Sequence, residues 1–318
     1  MLSPDKFHCL LDELPLHLVP RRSWHRESAG SRENDWKINP ACVILQRGEI
    51  PPALEDRAQL LQSFSLETAT AWVRDPATGS LSPFWLGTEF ERIVSRLARG
   101  ASVGSLQSKT WAILSRAGIL TRDVGAKARS SDWTTVATQA ARMFRERNYC
   151  PLPSVIHPFN LAALRRYYRN AIRSGAIQLG DEQSSRRYVA HNEPIAKFFH
   201  RQIANVVSAI VGEPVKPSYV YLASYLEGAE LKKHTDREQC EFSVTLCLDF
   251  SPEPELATSW PICLDTPAGT VKVYQALGDG LVYRGTKIPH YRSTLAVGHT
   301  STSIFFHYVP ADFAGSLD

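Results

Sequence analysis

Short apolar segments separated by turn residues dominate the C-terminal half of the chain. They lie after Pro214, at residues 219–225, 242–250, 262–264, 270–274, 280–283 and 301–309. Strands of this length and spacing are typical of a β-sandwich or β-barrel. Two helices are predicted before them, at 160–174 and at 194–211, and Gly212 follows the second. The pattern therefore predicts an α+β layout for residues 151–318, with helices flanking a β-barrel core.

Residues 1–150 mix helical spacing with turn signals. A strand–turn–strand unit is predicted at 68–74 and 81–86, because Asp75-Pro76 and Gly79 between them are turn residues. Helical spacing predicts helices near 54–64, at 90–97 with a stop at Gly100, near 106–117 with Gly118 behind, and at 133–147. Residues 21–32 have no period and are predicted to form a loop, and 150–153 a linker or strand entry.

The length of 318 residues allows two domains. We expect a mainly helical accessory region at 1–150 and the barrel domain at 151–318. Hydrophobic residues make up 43% and charged residues 21%, which excludes a disordered chain, a collagen and a disulfide miniprotein. No apolar run reaches the ~20 residues that span a bilayer, and no signal peptide is recognisable. The six cysteines form no C-x-x-C pair, which favours reduced thiols and a cytoplasmic location.

The net charge of +4 is too small to indicate nucleic-acid binding by itself. It is concentrated at residues 92–147, which hold eleven basic and three acidic residues. This stretch is either a solvated helical face or a surface for an acidic partner such as a peptide or a nucleic acid. A nucleic-acid partner is not expected, because no known nucleic-acid-binding motif is present.

The strongest chemical signal is His234-Thr-Asp236 together with the distant His290. Two imidazoles and one carboxylate on one side of a ferrous ion leave its other positions open. Residues i and i+2 on a strand point the same way, so His234 and Asp236 can reach one metal ion. His290 would have to return from a distant strand. The alternative for the first pair is an exposed loop, because residues 232–238 are highly polar.

Four segments in order strengthen the metal interpretation. They are the approach from Tyr225 and Gly228 to His234 and Asp236, the apolar run 242–249, the stretch 278–283 before Pro289-His290, and the closing run 301–308. Together they resemble the 2-oxoglutarate/Fe(II)-dependent dioxygenases, especially the prolyl-4-hydroxylase-like branch, over residues 150–310. The resemblance implies a double-stranded β-helix with iron held by His234, Asp236 and His290. It also implies 2-oxoglutarate and O2 as co-substrates, with decarboxylation to succinate and hydroxylation of a C–H bond.

One position departs from that family. An Arg or Lys usually stands about ten residues after the distal histidine and binds the far carboxylate of 2-oxoglutarate, where this chain has Thr300. Arg292 is the first alternative, because it would share the facing of His290 on a continuing strand. Arg284 is the second. Ser301, Thr302 and Ser303 could add hydroxyl hydrogen bonds but cannot neutralise a carboxylate.

Three further residues have two interpretations each. Tyr225 either contacts the co-substrate or is a barrel aromatic. Arg237 either contacts substrate or pairs with Glu238. His307 either faces inward toward the site or is a core histidine with its hydrogen bonds satisfied.

The sequence therefore predicts a hydroxylase with a peptidyl, amino-acid-derived or other small-molecule substrate. A faint winged-helix texture at residues 60–125 resembles the peptide-recognition modules of ribosomal-peptide maturation enzymes, which implies a ribosomal precursor peptide as one possible partner. Two alternatives remain open. One is a cupin-like barrel that binds metal or ligand without oxygen chemistry, and the other is a nucleic-acid-binding module with a vestigial barrel.

Overall fold

The structure is a computed structural model that describes residues 2, 5–20, 23, 36–122 and 125–318. Its strands are β1 (Trp36–Ile38), β2 (Cys42–Leu45), β3 (Thr70–Arg74), β4 (Leu81–Trp85), β5 (Leu120–Arg122), β6 (Tyr149–Leu152), β7 (Gln178–Leu179), β8 (Arg187–His191), β9 (Val215–Tyr225), β10 (Leu231–His234), β11 (Phe242–Ser251), β12 (Ile262–Thr266), β13 (Gly269–Val273), β14 (Gly280–Tyr283), β15 (His290–Arg292) and β16 (Thr300–Pro310). Its α-helices are α1 (Gly87–Ala98), α2 (Ser108–Arg116), α3 (Gly125–Arg147), α4 (Pro158–Arg173), α5 (Pro194–Gln202) and α6 (Ala204–Val211). The predicted loop at 21–32 lies outside the described residues, apart from Ser23.

Two antiparallel sheets form the β core. The larger has the strand order β6-β14-β11-β16-β9-β8-β7, and the smaller has the order β10-β15-β12-β13. Their inner faces meet, since Tyr283 of β14 lies 4.8 Å from His290 of β15 between ring centroids. The predicted α+β layout with a β core after residue 150 is therefore confirmed. β7 and β8 were not anticipated as strands, whereas the extended segments expected at His234 and at His290 are present as β10 and β15.

Alternation along the central strands separates an apolar outer face from a polar inner face. Ser243 of β11 pairs in register with His307 of β16, and both side chains face the interior between the sheets. Their neighbours Val244 and Phe306 point the other way and are fully buried. Phe306 stacks on His200 of α5 at 5.5 Å between ring centroids, so the helices cover the outer face. The inner face is thus free to carry polar chemistry.

One predicted helix is two helices in the structure. α5 and α6 replace the single helix expected at 194–211, because Ile203 between them has φ −96° and ψ 0°, outside the regular helical region. Gly212 ends α6 at φ +83°, a left-handed conformation that glycine adopts without steric cost, as its position predicted.

The N-terminal region is mixed rather than mainly helical. β2, β3 and β4 form a three-stranded sheet, and β1 pairs with β5. The predicted strand–turn–strand unit is present as β3 and β4, with Thr70 opposite Trp85. The helix expected near 54–64 is a 3-10 helix at Pro52–Leu61. β1, β2 and β5 were missed because strands of three or four residues are too short to show a regular alternation of apolar and polar positions.

The N-terminal region packs on the barrel's helices through aromatic contacts. Phe7 lies 5.7 Å from Trp85 of β4 and 5.9 Å from Phe199 of α5 between ring centroids. The boundary predicted at 150/151 falls inside β6, the outermost strand on one side of the larger sheet. Within the described part of the chain, no helix is long and apolar enough to cross a membrane.

Candidate metal centre

The three predicted metal ligands converge between the two sheets. β10 ends at His234 and β15 begins at His290, and the two histidines are paired in register. Asp236 follows in a loop, and the backbone N–H of Asp236 donates to Gly285 O at 2.9 Å. Asp236 Oδ1 lies 3.5 Å from His234 Nε2 and 3.5 Å from His290 Nε2. The three ligand atoms therefore lie close enough together to bind one metal ion.

Backbone carbonyls fix the orientation of both imidazoles. His234 Nδ1 lies 2.7 Å from Lys232 O, and His290 Nδ1 lies 3.0 Å from Ile288 O. A neutral imidazole that donates from Nδ1 keeps its lone pair on Nε2, which is the atom that faces the cluster. His234 is 37% exposed, whereas His290 is 3% exposed. The centre is therefore open to solvent on the His234 side.

The second oxygen of Asp236 is held by a chain of hydrogen bonds. Ser243 Oγ donates to Asp236 Oδ2 at 2.8 Å and lies 2.9 Å from His307 Nδ1, which donates to it. A side chain at Gly285 is excluded, because its Cβ would lie 2.2 Å from Asp236 Oδ2. The carboxylate is therefore constrained to present Oδ1 alone to the two histidines. His307 faces inward, as one of its two interpretations required.

The electrostatics of the cluster favour a bound cation. Burial works to raise the pKa of Asp236, but the hydrogen bond with His234 and the nearby His290 outweigh it and hold that pKa at about 2. The hydrogen bond to Asp236 raises the pKa of His234, whereas burial lowers the pKa of His290. An ionised carboxylate beside two imidazoles is a donor set suited to Fe(II).

Arg292 lies inside the barrel as a buried guanidinium with no acidic partner among the described residues. It is 4% exposed, and Nη1 donates to Trp260 O at 2.6 Å while Nη2 donates to Gln275 Oε1 at 3.3 Å. Among the described residues it forms no ion pair, and its Nε has no hydrogen-bond partner. Burial lowers the pKa of Arg292. A buried charge without a counter-ion is costly, so this position fits an anionic ligand.

The other two candidate anchors are placed differently. Arg284 is already neutralised, because its Nη1 lies 2.5 Å from Glu241 Oε1. Thr300 is exposed and lines a groove on the outer face with Thr302 and Arg169. Successive residues of β16 alternate in facing, so Ser301, not Thr300, lies on the inner side, opposite Tyr225. The structure brings neither Arg284 nor Thr300 to the interior beside Arg292.

Tyr225 lies on the inner face next to Arg292. Both pack on Trp260, the Tyr225 ring at 5.1 Å between centroids and the Arg292 guanidinium at 4.8 Å from the ring. Ser303 Oγ, also on this face, is buried without a hydrogen-bond partner among the described residues. Arg292 Nε and Ser303 Oγ are thus two polar groups that a bound molecule could satisfy.

Arg237 lies at the rim, next in sequence to Asp236. Its guanidinium lies 4.6 Å from the Tyr219 ring centroid, and no ion pair to Glu238 or another described carboxylate is formed. Sequence reasoning missed a neighbouring network in which Arg187 of β8 binds Asp181 at 2.5 Å and Tyr221 donates to the same carboxylate. β8 itself was not anticipated, so no sequence signal placed Arg187 there.

Comparison with known proteins finds structural likeness only. No protein-family model and no curated sequence matches the chain. A prolyl-4-hydroxylase from Pseudomonas putida is 16% identical, with 55% of this chain and 100% of that chain covered and a TM-score of 0.45. HygX from Streptomyces hygroscopicus, solved with nickel, 2-oxoglutarate and hygromycin B, is 11% identical, with 55% and 88% covered and a TM-score of 0.44.

A third similar structure is SnoN, a non-haem alpha-ketoglutarate-dependent epimerase of nogalamycin biosynthesis. It is 12% identical, with 56% of this chain and 84% of that chain covered and a TM-score of 0.47. SnoN has also been solved with Fe3+ and alpha-ketoglutarate. Because identities and TM-scores are low, the likeness alone does not establish an activity for this chain.

Proposed function

We propose that this protein is an Fe(II)/2-oxoglutarate-dependent dioxygenase that hydroxylates an unactivated C–H bond. The observation that carries the proposal is one interior that contains both a two-histidine, one-carboxylate cluster and a buried arginine that has no counter-ion among the described residues. The first group fits a ferrous ion, and the second fits the far carboxylate of 2-oxoglutarate. Neither a purely structural metal site nor a ligand-free barrel requires the second group.

His234, Asp236 and His290 would hold the iron through Nε2, Oδ1 and Nε2. The bound iron and 2-oxoglutarate would supply the oxidation of substrate, coupled to decarboxylation to succinate. The protein's part is to position them. Because Ser243 holds Asp236 Oδ2, the carboxylate would offer the iron one oxygen and would leave room beside it for the co-substrates.

Arg292 would bind the distal carboxylate of 2-oxoglutarate, with Ser303 Oγ as an additional hydrogen-bond donor. A guanidinium forms two parallel hydrogen bonds to a carboxylate, and its unpartnered Nε is available for one of them. Trp260 and Tyr225 enclose the guanidinium and exclude water from it. The role that the family gives to a residue near position 300 would thus be taken by an arginine on β15.

The substrate would enter on the His234 side, where the centre is exposed, with Arg237 at the rim. Both a small molecule and a peptide, including a ribosomally made precursor, are compatible with this entry. Turnover of a free amino acid at full rate would exclude a requirement for a peptide.

The test is 2-oxoglutarate turnover, measured as succinate formed per enzyme with Fe(II) and O2. We expect slow substrate-independent turnover in the wild type and loss of at least ~10²-fold in Asp236→Ala, because a metal ligand is removed. His299→Ala is the matched control, since His299 lies in the turn before β16, away from the centre. A cupin-like metal-binding protein would bind iron without consuming 2-oxoglutarate, and that result would exclude the proposal.

A further inference from the structure

Three partly exposed rings line the inner surface beside the metal centre. Tyr219 and Tyr221 belong to β9, and His191 ends the neighbouring β8. The ring centroid of His191 lies 5.2 Å from that of Tyr219 and 6.3 Å from that of Tyr221. We call these three residues the aromatic shelf. Apolar ring surface that remains open beside a candidate active site indicates a ligand-binding role.

The aromatic shelf adjoins the metal ligands. Tyr219 lies 4.6 Å from His307 between ring centroids, and His307 is linked through Ser243 to Asp236. Arg237, which lies over Tyr219, follows Asp236 directly in the chain. A molecule resting on the aromatic shelf would therefore lie next to the open side of the centre.

The aromatic shelf offers ring surface rather than hydroxyl groups, and that surface belongs to Tyr221 and His191, because the Arg237 guanidinium already lies over the Tyr219 ring at 4.6 Å. Tyr219 Oη lies 3.0 Å from Cys240 Sγ, and Tyr221 Oη donates to Asp181 Oδ2 at 2.5 Å. Burial raises the pKa of both phenols, so both stay neutral. With its hydroxyls already bonded, the shelf favours a planar, apolar group that stacks.

The polar groups at the Arg187 end of the aromatic shelf already have partners. Arg187 pairs with Asp181, and His191 Nε2 lies 3.2 Å from Asp318 Oδ1. Arg237 forms no ion pair with any described carboxylate, and its contact with Tyr219 holds the guanidinium over the ring. One fixed, unpaired guanidinium beside ring faces is complementary to an aromatic group that carries a carboxylate.

We propose that the aromatic shelf and Arg237 form the substrate-docking surface and that it takes an aromatic carboxylic acid, with the ring on the shelf and the carboxylate on Arg237. This inference rests on the proposed function for its catalytic meaning. The docking itself does not require that function, because the residues involved are not metal ligands. The aromatic acid could be a free molecule or the C-terminal residue of a peptide.

The test measures binding to the metal-free protein and to the Ni(II) and 2-oxoglutarate complex by ligand-observed NMR and calorimetry. The probes are 2-naphthoate, its neutral carboxamide, cyclohexanecarboxylate and the peptide Gly-Gly-Phe. We expect 2-naphthoate to bind about tenfold more tightly than the carboxamide or cyclohexanecarboxylate, because each lacks one of the two contacts. Binding of Gly-Gly-Phe in place of free naphthoate would identify the peptide source.

Two variants separate the contacts. Arg237→Gln should weaken 2-naphthoate about tenfold and leave the carboxamide unchanged, whereas Tyr221→Leu should weaken both. The matched controls are Lys233→Gln and Tyr291→Leu. Lys233 Nζ lies 4.9 Å from the centre of the Tyr291 ring in the smaller sheet, and Lys233 is already paired with Asp265. Equal binding of acid and amide, or equal losses in the control variants, would overturn the docking proposal. Failure of Fe(II) and 2-oxoglutarate to bind, with naphthoate binding intact, would instead count against the proposed function.

Discussion

Replacing Arg292 with methionine should separate ligand binding from stability. The guanidinium is buried and faces no described carboxylate, so the folded protein carries the cost of an unpaired charge. A buried ion without a partner costs several kcal/mol. Its removal recovers that cost but leaves the acceptors Trp260 O and Gln275 Oε1 unsatisfied, at about 1–3 kcal/mol each. The two effects oppose each other, so we expect the unfolding free energy to change by no more than about 1–2 kcal/mol.

The affinity for 2-oxoglutarate should respond far more strongly. A carboxylate about 4 Å from the guanidinium, at an effective dielectric constant of about 20, gains roughly 4 kcal/mol. At 1.4 kcal/mol per tenfold change, Arg292→Met should weaken 2-oxoglutarate binding by about 10³-fold. Arg292→Lys keeps the charge but loses the paired hydrogen bonds, so its loss should be intermediate.

The assay is anaerobic calorimetry of 2-oxoglutarate into the metal-loaded protein, with chemical denaturation of the same variants. Arg284→Met is the matched control, because Arg284 is committed to Glu241 and packs over Phe242 at 5.0 Å. That variant should lose about 1–3 kcal/mol of stability and keep its affinity. The proposed role of Arg292 would be wrong if Arg292→Met strongly lowered the free energy of unfolding while its folded fraction bound 2-oxoglutarate with wild-type affinity.

Three further predictions concern two neighbours of Asp236 and the buried His200 on the outer face. Ser243→Ala should weaken Co(II) binding by about 10–100-fold with the fold intact, followed in the metal's visible spectrum, because Asp236 loses the donor that orients it. Gly285→Ala should abolish Co(II) binding in the same titration, because the new Cβ would lie 2.2 Å from Asp236 Oδ2. Gly104→Ala is the control and should keep Co(II) binding, because its Cβ would lie 3.4 Å from the nearest atom, Ser102 Oγ. Burial lowers the pKa of His200 to about 3 from 6.5, so the unfolded chain binds the extra proton as pH falls below 6.5. Protonation of His200 in the unfolded chain should therefore lower the free energy of unfolding by up to about 1.4 kcal/mol per pH unit as the pH falls. Chemical denaturation between pH 4.5 and 6.5 should show that the free energy of unfolding of His200→Phe depends less steeply on pH than that of the wild type, by the equivalent of about one proton.

The three candidate metal ligands and Arg292 were within reach of sequence reasoning because each depends on local spacing. His234 and Asp236 share a side through their i, i+2 relation, and Arg292 has the same relation to His290. For both pairs, the shared direction of the side chains can be predicted once the segment is recognised as extended. Order along the chain then suggests that the segments meet.

The supporting residues were out of reach because they depend on the register between distant strands. His307 meets Ser243 only because β11 and β16 are paired at that register. Thr300 shows the same limit in reverse, since a difference of one residue decides whether a side chain faces the interior or the outer groove. Arg187 lies on a strand that no periodicity announced, and its partner Asp181 comes from the preceding turn.

The most direct measurement is the visible spectrum of the anaerobic protein on addition of Fe(II) and 2-oxoglutarate. We expect a weak metal-to-ligand charge-transfer band that requires both additions and is lost in His234→Ala. A folded, iron-loaded wild type that shows no band and binds no 2-oxoglutarate would contradict the dioxygenase assignment. The barrel would then be a metal- or ligand-binding protein without this oxygen chemistry.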